Sequence, residues 1–83
     1  MIKTVVGIDG MMCGMCEAHI NEAVRKAFQV KKVSSSHRKG EAVILSEEAP
    51  DPEKLRDVIA QTGYTPRGIS SEPYEKKGLF GIR

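Results

Sequence analysis

The chain has no tryptophan, two phenylalanines, two tyrosines and two cysteines among 83 residues. So few rings leave no stacking platform for nucleic-acid bases, and the core has to be aliphatic. No apolar run approaches the roughly 20 residues of a membrane-spanning helix. The opening Met1-Ile2-Lys3-Thr4-Val5-Val6 lacks the basic, apolar and small-residue segments of a cleavable leader. Charge of one sign is also scarce: 13 Lys and Arg face 11 Asp and Glu, for a net +2, which is no electrostatic footprint for nucleic acid. These absences point to a cytoplasmic protein with neither nucleic acid nor membrane insertion among its partners. A single domain of this size buries only about 60% of its unfolded surface, so a deep pocket is not expected. Two cysteines in a reducing compartment read as a reactive or metal-binding pair in preference to a structural disulfide.

What the chain does have is sulfur in one place. Gly10-Met11-Met12-Cys13-Gly14-Met15-Cys16 holds both cysteines and three of the four methionines. Before it, Ile2, Thr4, Val6 and Ile8 alternate with Lys3, Val5, Gly7 and Asp9, the period of a strand with one buried face. After it, Cys16, Ile20, Ala23, Val24, Ala27 and Phe28 recur at helical spacing, with Glu17, Asn21, Glu22, Arg25 and Lys26 on the other side. Val30 and Val33 open a weaker strand through Ser34-Ser35-Ser36, where His37 reads as solvated, and Arg38-Lys39-Gly40-Glu41 has turn composition. Ala42-Val43-Ile44-Leu45 is a short strand. Asp51 is placed to cap a second helix, Pro52 to begin it and Gly63 to end it, with Leu55, Val58 and Ile59 inward. Tyr64 to about Ser70 makes a last strand that Pro66 assigns to a sheet edge. The order is a split βαβ repeat whose halves meet near Gly40: an α+β, ferredoxin-like βαββαβ domain over residues 1–70, with two helices on one face of a four-stranded antiparallel sheet. Residues 71–83, including Leu79, Phe80 and Ile82, are expected to form a tail, unstructured or packed on the sheet edge.

Cys13 and Cys16 fall between a strand end and a helix start, where unpaired backbone N–H groups and the helix dipole favour an anion. Both thiols should therefore ionise readily. Thiolates select soft ions, and one CxxC pair cannot by itself close a four-ligand zinc cage. Low coordination points to Cu(I), with Zn(II), Cd(II) and Hg(II) as the other candidate ions. Met12, Met15 and His19 are outside candidates for an extra ligand, against the plainer expectation of exposed loop residues and a surface histidine.

The run GMMCGMC, the helix start Glu17-Ala18-His19-Ile20 and Thr62-Gly63-Tyr64 resemble the heavy-metal-associated domain of copper chaperones and of copper-transporting P-type ATPases. The resemblance spans residues 2 to about 70. It implies that Cys13 and Cys16 are the metal ligands and that Met11 is a buried prop beneath the loop. It also implies that Tyr64 stands beside the ion, where bacterial-type members commonly carry Tyr and eukaryotic-type chaperones carry Lys. Gly14 permits the turn. Met12 departs from the Thr or Ser usual at its position, and the Asp that zinc- and cadmium-type relatives often place there is absent, which favours Cu(I).

The function these features imply is a cytosolic Cu(I) metallochaperone, not an enzyme. It would hand the ion by thiolate exchange to the heavy-metal-associated domain of a copper-exporting P-type ATPase, acting as a monomer or as a metal-bridged dimer. Arg25, Lys26, Lys31 and Lys32 would offer a docking face or simply a solvated helix end. Three alternatives stand beside this reading. One is a thiol–disulfide oxidoreductase using the same cysteines, to which Thr65-Pro66 would lend a cis-proline. Another is a domain excised from a heavy-metal ATPase. The third, an RNA-binding domain on the same plan, would need aromatics in the central strands, and there are none.

Overall fold

A computed structural model describes residues 1–12 and 14–74; the expectations for Cys13 and for residues 75–83 lie outside the described residues. Along the chain come β1 (Ile2–Asp9), α1 (Gly14–Ala27), β2 (Lys32–Ser36), β3 (Glu41–Ser46), α2 (Pro52–Gln61) and β4 (Thr65–Pro73). The strands form one sheet in the order β2-β3-β1-β4 with every pair antiparallel. This is the ferredoxin-like βαββαβ plan expected from the periodicity.

Alternation in β1 sends Thr4, Val6 and Ile8 inward, and the register Thr4↔Ile44 and Val6↔Ala42 brings the buried residues of β3 onto the same face. Ile20 and Val24 of α1 and Leu55 and Ile59 of α2 close over them, with Val33 from β2. Each such aliphatic side chain contributes roughly 1.5–3 kcal/mol on full burial. Thr4 reaches the buried layer without an orphaned hydroxyl because its Oγ1 lies 2.9 Å from Ser71 Oγ.

The α2 boundaries follow their capping chemistry. Asp51 Oδ1 accepts from Glu53 N–H at 3.0 Å, Pro52 takes the first turn, and Gly63 at φ 97° donates its N–H to Ala60 O. At the far edge, β4 runs on to Pro73, which pairs with Ile2, beyond the expected end near Ser70. Its pairing with β1 is bulged between Val6 and Ile8, so that Arg67 and Gly68 face Gly7 across the sheet. A Cβ on Gly7 would stand 3.2 Å from Arg67 Cβ, a tight contact that a larger residue could make only by shifting Arg67.

Alternating strand and helix directions collect the β1–α1 loop, the β2–β3 turn and the α2–β4 turn at one pole. Ile8 N–H donates to Gly40 O at 2.7 Å, fastening the hairpin turn to the end of β1.

Candidate metal site

At that pole the chain leaves β1 through Gly10, whose φ of 103° an L side chain rarely adopts. A Cβ at Gly10 would also stand 3.2 Å from Tyr64 Cδ1. The Tyr64 ring is thus laid against the start of the loop, half-buried and packed on the core, and the Gly63 turn after α2 brings it there. Met11 is 8% exposed and belongs to the core cluster, whereas Met12 is 80% and Met15 69% exposed. Three methionines of one short run therefore divide into one that packs and two that face outward.

Cys16 lies in the first turn of α1, half-buried, and touches the margin of the core. It is not wholly outside the packed interior. Being close to the N-terminus of a 14-residue helix, its sulfur feels the positive end of the dipole. His19 is exposed. Among the described residues no three His, Cys, Asp or Glu side chains gather as a metal cluster, so a closed four-ligand cage is not built from them. Arg25, Lys26, Lys31 and Lys32 are exposed as well. Arg25 and Lys31 border a shallow open groove with Phe28, Val30 and Pro50 at the pole opposite the sulfur loop.

His37 corrects the sequence reading. It is half-buried: Glu17 Oε2 accepts from His37 N–H at 2.8 Å and lies 2.6 Å from His37 Nδ1. One helical turn on, Asn21 Oδ1 accepts from Ser35 Oγ at 2.6 Å. Glu17 and Asn21, expected on the solvent side, thus stitch α1 to β2 and the turn that follows it. Four residues of helix rise about 6 Å and two residues of strand about 6.7 Å, so an i,i+4 pair on one can match an i,i+2 pair on the other. That matched spacing of polar residues was the available signal, and nothing local singles it out.

The stitch makes a pH-dependent contribution to stability. Glu17 sits below its ordinary value near 4.5, chiefly because the His37 backbone N–H donates to it, then because of the His37 ring; partial desolvation opposes the shift. A folded-state pKa that is depressed adds stability above the unfolded value and loses it as pH falls through the folded one. The stability difference between the wild type and Glu17→Gln is therefore expected to be full at neutral pH and to shrink below about pH 4.5. Urea titrations at stepped pH measure it, and a difference independent of pH would contradict the assignment.

With this geometry in hand, comparison with known proteins decides the family. A sequence profile of the heavy-metal-associated domain matches residues 5–65. The chain belongs to the heavy-metal-associated domain family. It is 39% identical over 76 residues to a mercuric reductase of Staphylococcus aureus, a match that covers 90% of this chain and only 13% of that enzyme. The copper chaperone of Enterococcus hirae in its apo form shares 33% identity at a TM-score of 0.66, covering 76% of this chain and 94% of the chaperone. The N-terminal domain of ZntA in its Zn(II) form superposes at a TM-score of 0.71, covering 80% and 89% of the two chains; at 20% identity that likeness is one of fold. The heavy-metal-associated profile begins in β1 and ends at the start of β4, so the sulfur loop, both helices and Tyr64 all lie inside it.

Proposed function

We propose that this heavy-metal-associated domain is a cytosolic metallochaperone that carries one Cu(I) on Cys13 and Cys16 and passes it to a CxxC loop of a partner. The fitting partner is the heavy-metal-associated domain of a copper-exporting P-type ATPase. The observation that carries this reading is Cys16 half-exposed in the first turn of α1, near the exposed thioethers Met12 and Met15. An ion held there by two thiolates stays open to a third, which a closed cage would forbid. Ligand exchange follows: an incoming thiolate makes the ion three-coordinate, one original thiolate leaves, and the ion is never released to water. Tyr64, seated against Gly10, flanks the loop on the side away from the Glu17–His37 stitch.

Hg(II) is the second reading, favoured by the 39% identity to a mercuric reductase. It is also soft and equally served by two thiolates. The reductive chemistry of that enzyme belongs to a protein of which this chain spans 13%. Among the described residues no helix is long and apolar enough to cross a membrane.

Titration of the reduced protein with Cu(I), Hg(II), Zn(II) and Cd(II), with ions and protomers counted by native mass spectrometry, tests the reading. One Cu(I) per chain, held against a Cu(I)-specific chelator, is the expected result. Preference for Zn(II) would overturn it, as would efficient insulin reduction by the dithiol without metal, which is the mark of an oxidoreductase.

A further inference from the structure

Among the described residues three large hydrophobic side chains stand exposed: Met1, Met12 and Met15. Met1 lies at the far pole, where its carbonyl accepts from Tyr74 N–H beyond the paired ends of β1 and β4. Met12 and Met15 instead bracket Cys13 in the sequence and face outward at the start of α1. Met11 already supplies the loop's anchor in the core, and packing among the described residues makes no use of the other two. Exposed methionine is an adaptable contact surface, flexible and polarisable enough to fit a partner without a preformed shape.

We infer that Met12 and Met15 form an apolar collar that seats the metal-bearing loop of a second domain of the same kind during ion exchange. This rests on the function proposed above. Exchange requires an incoming sulfur to come within bonding distance of an ion held by Cys13 and Cys16, so the most exposed side chains next to those cysteines meet the partner first. The collar has a polar rim, as protein interfaces commonly do. On one side stand the exposed Arg38 and Lys39 of the hairpin turn, which Ile8 N–H ties to the end of β1; on the other is the Arg67–Asp9 ion pair at 2.8 Å. A small thiol such as glutathione presents no surface for a collar to grip, whereas a folded loop does. In the transfer each incoming thiol gives up its proton as its sulfur bonds to the ion. Each departing thiolate takes a proton up, and the ion keeps its oxidation state.

The test mixes equal amounts of Cu(I)-loaded and apo full-length chain, one of them isotopically labelled. Exchange between loaded and apo amide signals gives the rate. Met12→Ser with Met15→Ser is expected to slow exchange between chains about tenfold, a loss of about 1.4 kcal/mol in the exchange complex. It should leave Cu(I) affinity and removal of the ion by glutathione within about twofold. Met12→Leu with Met15→Leu, which keeps the apolar surface without sulfur, is expected to exchange at the wild-type rate. Wild-type exchange by the Ser pair would overturn the collar. So would lost affinity or slowed exchange in the Leu pair, because either assigns the thioethers as ligands, and so would slowed removal by glutathione. A wild type that neither holds nor exchanges Cu(I) would instead remove the proposed function, and the collar with it.

Discussion

Cys13→Ser and Cys16→Ser are each expected to lower retention of Cu(I) about a thousandfold or more, equivalent to about 4 kcal/mol. A serine hydroxyl is a hard, protonated donor where a soft ion needs a thiolate, and among the described residues no metal cluster stands ready to replace the missing sulfur. The loss should be confined to the metal. Cys16 is half-buried at the margin of the core, and serine is close to it in volume, so the Cys16 substitution should change folding stability by about 1 kcal/mol or less. Competition with a Cu(I)-specific chelator reads the first quantity and urea denaturation the second. Retained affinity in either single variant would contradict a two-thiolate site, and a collapse of stability together with affinity would make Cys16 a core residue first.

The same variants do not choose between Cu(I) and Hg(II). Hg(II) also favours two-coordinate thiolate complexes, so a site made of this pair should lose both ions together when one cysteine is removed. What separates the ions is discrimination, and the described residues near the loop offer few hard donors to provide it. His19 is exposed, and the Glu17 carboxylate is engaged by His37. A two-thiolate loop of this kind is expected to disfavour Zn(II), which takes four ligands, more than it separates one soft ion from another.

Much of this arrangement was legible in the sequence where the signal was local. The alternation of β1, the stripe Ile20, Val24 of α1 and the Asp51-Pro52 to Gly63 punctuation of α2 each lie within one element, and each formed as read. What escaped was nonlocal. β2 turns only Val33 fully inward and is held by its register with β3 and by the α1 stitch, so Ser34-Ser35-Ser36 carried almost no pattern. Polar neighbours made His37 look solvated, yet its partner Glu17 stands 20 residues earlier in the chain. The extension of β4 to Pro73 depends on pairing with Ile2 at the other end of the described chain. At the site, the role of Met11 came from resemblance to a family and not from periodicity, because Met11 and Met12 are chemically identical neighbours.

That identity makes Met11→Ala the most informative core substitution. Met11 is 8% exposed within the cluster formed by residues of both helices and the central strands, so its truncation is expected to cost about 2–3 kcal/mol. Stability of about 0.05–0.15 kcal/mol per residue makes that a large share of the total for so small a domain. Met12→Ala, 80% exposed, should stay within about 0.5 kcal/mol of the wild type. Met11→Leu, nearly volume-conserving, should cost less than about 1.5 kcal/mol. Urea denaturation of the apo proteins orders the three. The same order should reappear, attenuated, in Cu(I) affinity, because Met11 fixes to the core a loop that begins at the positive-φ Gly10, and a loop cut from that anchor must be ordered again whenever the ion binds. Equal midpoints for Met11→Ala and Met12→Ala would show instead that the loop is held by its metal alone.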